Sequence, residues 1–286
     1  MKFSKPIIDI IQERTSRRTY SGEPLNNTMK IKLITIIEKH TLKSPFCEKL
    51  ETIRFKLVDV PEFDPSEKKK LGTYGIIKGA QNFIVGAVKK FELNREHFGY
   101  LMELIILKAT DLGLGTCWLG GTFNRSLFST KIQKTNDEIV PAITPIGFPV
   151  KRTIKENSIR KLIKADKRLP WNQLFFKNDL NTPLSPEETE EYTELLEMVR
   201  LSPSAGNKQP WRIIKEIDKN YFHFYIVEGN KAYRQFPPID IGIAVCHFDL
   251  TARELGINGN WVFKNPQITG TENLIYKITW NTENNK

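Results

Sequence analysis

The chain has 286 residues, enough for two modest domains or one large one. Its 40% hydrophobic and 27% charged content is that of a globular protein, which excludes a disordered or fibrous class. The formal charge of +10 is spread along the chain and not gathered into a block, so it suits a solvated basic surface or a phosphorylated ligand better than a nucleic-acid groove.

From the amino terminus, Ile7, Ile8, Ile10 and Ile11 recur at helical spacing behind Ser4 as a candidate cap, predicting a short amphipathic helix that ends near Arg14. A polar turn with Gly22 and Pro24 follows. Thr28 is placed to cap a second helix with Ile31, Leu33, Ile34 and Ile37 as its stripe. Residues 54–60 alternate as a half-buried strand does. From 98 to 112 the chain is apolar nearly all round, which predicts a buried helix closed by Gly113, a residue tolerant of left-handed backbone. Residues 142–148 read as a strand, and Pro145 points to an edge or end position because proline cannot donate to a ladder. The basic, proline-punctuated stretch 151–186 reads as a connector with one short helix in it. It divides the chain into halves, residues 1–175 and 176–286.

The second half repeats the first in outline. Gly99, Gly113 and Trp118 recur as Gly242, Gly256 and Trp261 at a constant offset of 143 residues, each set framing an apolar helix. Ser44-Pro45, ahead of the strand at Arg54, parallels Ser202-Pro203, ahead of the strand-like Arg212-Ile213-Ile214. An internal duplication with two-fold pseudosymmetry is expected, since fused protomers inherit the symmetry of a homodimer.

No apolar run approaches the ~20 residues of a membrane span, and the first six residues lack the apolar core of a signal peptide, so a cytoplasmic protein without membrane contact is expected. Cys47, Cys117 and Cys246 are scattered and are read as reduced packing residues. His40, His97, His223 and His247 stand apart from carboxylate and cysteine clusters in the sequence. No metal site is expected.

Three segments carry chemistry. Arg14-Thr15-Ser16-Arg17-Arg18 follows the first helix, and in an extended stretch Arg14, Ser16 and Arg18 would bring two guanidinium groups and a hydroxyl to one spot suited to a phosphate or an electron-rich ring edge. Taken alone it reads as that or as a solvated basic helix end. The stretch from Pro203 to Trp211, Pro-Ser-Ala-Gly-Asn-Lys-Gln-Pro-Trp, is a stiff loop with exposed backbone N–H groups, or an ordinary turn. Gly113-Leu114-Gly115-Thr116-Cys117-Trp118 contains Gly-x-Gly, but Trp118 stands where a dinucleotide fingerprint needs its third glycine, and no strand precedes it.

Together these segments resemble the FMN-dependent nitroreductases, which carry an Arg-x-Ser-x-Arg element after the first helix, a Pro-Ser-x-x-Asn-x-Gln-Pro-Trp loop, and a Gly-Leu-Gly-Thr-Cys-Trp segment after a buried helix. The resemblance implies an α+β fold of layered mixed sheets with helices, here as a fused type whose two pseudo-symmetric halves form an intrachain pseudo-dimer. The family's homodimers share each flavin across the interface. This chain keeps the arginine element in its first half only, because residues from Pro186 onward are acidic, and the loop in its second half only, because Ser44-Pro45 is followed by Phe46-Cys47-Glu48-Lys49. One composite site remains.

By carry-over, Arg14 and Arg18 would hold the phosphate and ribityl end together with Lys167 and Arg168, with Thr15 beside them and Ser16 bonding the pyrimidine side or ribityl hydroxyls. Pro203, Ser204, Ala205 and Asn207 would cover the ring, and the backbone of Gly120 and Gly121 would lie at its reactive edge. No catalytic side chain is implied, because FMN itself brings the redox chemistry. NADH or NADPH is the implied donor and a small nitroaromatic or quinone-like molecule the acceptor, in ping-pong turnover by a monomer acting as a pseudo-dimer. The competing expectations are a flavin-binding or flavin-sensing protein without turnover and, from another class, a basic nucleic-acid-binding protein.

Overall fold

The computed structural model describes residues 2–38, 43–47, 49, 52–68, 70–73, 75–219 and 221–282; His40 and Glu48 lie outside the described residues. The chain opens with α1 (Ile7–Glu13), which buries Ile7, Ile10 and Ile11 as its periodicity requires. Ser4 does not cap it. The Ser4 backbone nitrogen donates to Asp111 Oδ2 at 3.0 Å, and the free N–H groups of Ile7 and Ile8 are met by the Glu254 carboxylate at 2.6 and 3.3 Å. A carboxylate from the other end of the sequence does the work of a local cap, favoured by the positive end of the helix. Helix α2 (Asn27–Ile37) starts one residue before Thr28, and Asn26 caps it by accepting from Met29 N at 2.9 Å.

Strands β1 (Ile53–Asp59) and β2 (Asn82–Lys89) flank the short α3 (Pro65–Lys68). After them come α4 (Asn94–Asp111), β3 (Gly115–Thr116), α5 (Arg125–Lys131), β4 (Glu138–Ile139) and β5 (Ile143–Gly147). The first sheet has the order β1-β2-β5-β3, with β4 also on β2. Strand β5 is therefore interior, against the edge position that Pro145 suggests. Ile143 exchanges both backbone bonds with Leu119, so Pro145, two residues on, turns its nitrogen to that same side. There the ladder is broken, and the Cys117 N–H bonds the Thr144 hydroxyl at 3.0 Å, so proline forfeits nothing.

The connector contains α6 (Ile154–Leu162), capped by Thr153, and β6 (Phe175–Lys177). Strand β6 joins the second sheet, so the 175/176 division falls within a strand of that sheet, after its first residue, Phe175. Beyond it lie α7 (Thr193–Arg200), β7 (Trp211–Glu216), β8 (Tyr221–Val227), α8 (Pro237–Glu254), β9 (Gly259–Val262) and β10 (Leu274–Thr282). The second sheet runs β6-β7-β8-β10-β9, antiparallel except for β6 beside β7. With β6 set aside, β7-β8-β10-β9 repeats β1-β2-β5-β3.

Helices α4 and α8 each span 18 residues and begin 143 residues apart. They cross in the centre of the molecule, and the crossing explains the repeated glycines. A Cβ on Gly99 would strike the Ile239 carbonyl oxygen, and one on Gly242 would strike the Glu96 carbonyl oxygen. Gly113 and Gly256 close the two helices at φ +76° and +70°. One hydrophobic core spans both halves, taking Ile10 from α1, Leu101 and Ile105 from α4, Phe248 from α8 and residues of both sheets.

Candidate functional site

Two segments distant in sequence are fixed beside each other above the end of the α4–α8 pair. Where α1 ends, Ser16 pairs as a parallel bridge with Thr116, and Arg17 N donates to Thr116 O at 2.7 Å, which lays residues 14–18 along the β3 end of the first sheet. The 203–210 loop is a tight turn with Gly206, Asn207 and Gln209 in the left-handed region. It is held internally, by Asn207 N to Ser204 O at 3.0 Å and Gln209 N to Ser204 Oγ at 2.8 Å. It is also held externally, by Ala205 N to Asp240 Oδ1 of α8 at 3.0 Å.

Two adjoining cavities lie between these segments, with Ser16, Ile163, Pro203 and Ser204 as common wall. The larger, about 440 Å³, is lined by Arg14, Thr15, Arg168 and Asn207, and by Arg152 and Arg160 from the connector. The smaller, about 240 Å³, is lined by Arg18, Gly120, Gly121 and Ala205 together with Trp118, Tyr233, Phe236 and Asp240.

The larger cavity concentrates positive charge. Arg152 and Arg160 both donate to Thr15 Oγ1 at 3.1 Å, and Arg160 pairs with Asp166. Arg168 donates to the carbonyls of Ala165 and Leu201 at 3.0 Å each, and burial with the nearby Arg14 and Arg200 cations pulls its pKa down to about 10. Burial likewise lowers Arg14, against the opposing pull of Glu103. Buried nitrogens without a hydrogen-bond partner remain: Arg14 Nε, Arg152 Nε, Arg168 Nε, and both Nε and Nη1 of Arg18 in the smaller cavity. Arg14 Nε and Arg152 Nε still have carboxylates near them, Glu103 at 3.6 Å and Glu156 at 3.4 Å, whereas Arg168 Nε and the two Arg18 nitrogens are in no ion pair among the described residues, and such always-charged donors out of water suit an oxyanion or carbonyl.

Behind this wall, the fully buried Glu103 accepts from Trp118 Nε1 at 2.7 Å and from His247 Nε2 at 3.0 Å, with Arg14 Nε 3.6 Å away. Burial would raise this carboxyl, but the His247 bond and the Arg14 charge prevail and hold it below the usual range. It anchors the first half's arginine and tryptophan to a histidine of α8.

Every residue proposed from sequence lines one cavity or the other except Lys167, whose side chain is exposed. Lys167 contributes its carbonyl, which accepts from Asn207 Nδ2 at 2.9 Å. Asn207 thus staples the loop to the connector, bonding Lys164 O at 2.7 Å as well, and its amide is spent there instead of on a ring. Arg14 and Arg18, expected at one end, line different cavities with Ser16 between them. The helix end turns Arg14 toward Glu103, while Arg18 lies beyond the Ser16–Thr116 bridge.

Sequence reasoning missed Arg152, Arg160, Tyr233, Phe236 and Asp240. The two arginines flank and occupy α6, so their signal was the Thr153 cap inside a basic connector. Tyr233 and Phe236 sit on the segment between β8 and α8, which is longer than its counterpart between β2 and α4. The histidines are not apart from carboxylates in space: Glu103 meets His247, and Glu216 meets His223 at 3.3 Å.

A family model described as "Putative TM nitroreductase" matches residues 6–252, and the chain belongs to that family of oxidoreductases. The fold is similar to the crystal structure of a putative nitroreductase from Thermotoga maritima, at 20% identity, covering 99% of this chain and 95% of that one, with a TM-score of 0.62. About half of the chain is also similar to a nitroreductase family protein from Clostridium novyi (22% identity, 53% of this chain, 87% of that one, TM-score 0.40). An FMN-dependent nitroreductase from Clostridium difficile matches to a like extent (20% identity, 51% and 89%, TM-score 0.42). No curated protein matches the chain.

Proposed function

We propose that the chain is an FMN-dependent oxidoreductase that takes electrons from NADH or NADPH and passes them to a nitroaromatic or quinone-like acceptor in ping-pong turnover. Residues 1–175 and 176–286 would be the halves of a duplicated nitroreductase unit, working as a pseudo-dimer in a monomer. One observation carries the reading: the arginine segment of the first half and the Pro203–Asn207 loop of the second wall the same pair of cavities, with unpartnered guanidinium nitrogens in each.

FMN fits this donor set. Arg14, Thr15 and Arg168, with Arg152 and Arg160, would hold the phosphate by charge-assisted bonds. Ser16 stands at the junction where a ribityl chain would pass. Trp118, Tyr233 and Phe236 give flat walls for a ring, Gly120 and Gly121 leave backbone bare toward it, and Pro203, Ser204 and Ala205 close the other side. Arg18 supplies positive charge where a ring edge gains electron density on reduction. Asn207 and Lys167 act by holding the loop in register. The bound flavin supplies the two-electron chemistry; the chain binds it, orients it and keeps water from it.

Absorbance of the purified chain after FMN addition and desalting, followed by NADH and NADPH oxidation with a nitroaromatic or quinone, tests this. Retained flavin and acceptor-dependent oxidation support the reading, and failure to retain FMN contradicts it. A flavin holder without turnover is favoured by one feature, Phe236, whose ring would come within 2.6 Å of a Cβ on Gly120 and crowds the bare glycine face. Anaerobic bleaching of the bound flavin by NADH or NADPH separates the two: a flavin that neither donor bleaches belongs to a holder.

A further inference from the structure

Asp240 is the buried group that this reading leaves without a role toward the ligand. It is 3% exposed, stands in the first turns of α8 and lines the smaller cavity. Its Oδ1 accepts from Ala205 N at 3.0 Å, while Oδ2 is buried and has no hydrogen-bond partner. A carboxylate near a helix start ordinarily leans on free backbone N–H groups, but Pro237 and Pro238 occupy the first positions of α8 and offer none.

The charged and titratable groups around it do not compensate. Tyr233, from the preceding segment, bonds the Ala205 carbonyl. Glu96 of α4, whose backbone meets the same turn of α8, is paired with Lys277 at 2.6 Å. Arg18 shares the cavity wall without an ion pair to Asp240 among the described residues. Burial therefore raises the Asp240 carboxyl well above its ordinary range, against the lone Ala205 bond.

We propose that Asp240 is a neutral carboxylic acid whose Oδ2 hydroxyl donates a hydrogen bond to a carbonyl oxygen or ring nitrogen of the planar ring held in the smaller cavity. An ionised carboxylate could only accept, and would meet such an atom with repulsion. The inference rests on the flavin reading and assigns that ring a donor from the second half, in the cavity that Arg18 of the first half also lines.

Infrared difference spectra of wild type and Asp240→Asn at neutral pH, with and without FMN, test it. The wild type should show a protonated-carboxyl band absent from the variant, and FMN should move that band to lower frequency. Asp240→Asn keeps an acceptor for Ala205 and a donor for the ring, so its FMN affinity should stay within about threefold, while Asp240→Leu should bind about tenfold more weakly. FMN that binds without moving the band, or a wild-type spectrum lacking it, overturns the assignment. Should Asp240→Leu fail to fold, the spectra of wild type and Asp240→Asn still decide. A wild type that shows the band but binds no FMN overturns instead the flavin reading, and this assignment with it.

Discussion

Arg18 is 8% exposed, its backbone nitrogen is taken by Glu156 at 3.1 Å, and two of its three guanidinium nitrogens have no partner. Such a group stabilises whatever acceptor completes it. Arg18→Ala should weaken FMN binding by about 1.5–3 kcal/mol, the range for a hydrogen bond to a charged group, read by fluorescence titration; unchanged affinity would mean that the arginine serves the fold alone. His97 makes a different prediction. It is 1% exposed, bonded to Ser44 at 2.7 Å and Thr52 at 3.3 Å, and burial lowers its pKa from 6.5 to about 4. The unfolded chain takes up the proton first as pH falls. Stability is therefore full above pH 6.5, declines across the window, and has lost about 3 kcal/mol near pH 4. Urea denaturation across that window should show the decline, and His97→Gln should flatten it.

Which residues line the cavities was legible from the three segments together, since the arginine run alone reads equally as a solvated helix end and the small-residue loop alone as an ordinary turn. Their partners were not. Asp240 and Glu103 look like ordinary members of apolar helices, and only tertiary packing, against the other helix and for Asp240 also the Ala205 loop, removes them from water. The division of Arg14 from Arg18 likewise depends on the Ser16–Thr116 bridge, a contact between positions one hundred residues apart in sequence.

At the scale of elements, the α4–α8 crossing organises the molecule, because each half contributes a helix that is buried nearly all round and could not be solvated alone. Its closeness depends on Gly99 and Gly242. Alanine at either position gains up to about 1 kcal/mol in helix propensity but drives a methyl into the backbone of the other helix, and overpacking of that kind costs about 1–3 kcal/mol. The reach into backbone sets the balance, so Gly99→Ala and Gly242→Ala should each lower the melting temperature; an increase in either would show that the helices separate without penalty. The recurrence of these glycines was readable from spacing as a sign of duplication, but the close approach of backbones that it serves appears only in the fold. Strand β2 was not readable, because it is buried on both faces and offers no alternation to read. The caps from Glu254 and Asn26 escaped for opposite reasons, one too remote in sequence and the other two residues before the cap expected at Thr28.

At the scale of the molecule, the repeated strand order, the equal helices and the residues His97 and Asp240, 143 apart and each bonded to the Ser-Pro loop of its own half, describe two units around one axis of crossing. The two units are not equivalent. Among the described residues, the loop of the second half alone lines a cavity with an arginine segment, and strand β6, which straddles the 175/176 division, adds to the second sheet a strand that the first lacks. In the proposed reading, one chain builds one flavin site from both halves. Native mass spectrometry of the FMN-saturated protein tests it most directly, because it reads chain number and cofactor number in one spectrum. A single chain carrying one FMN is the expected species. Two FMN on a chain, or FMN found only on dimers, would contradict it.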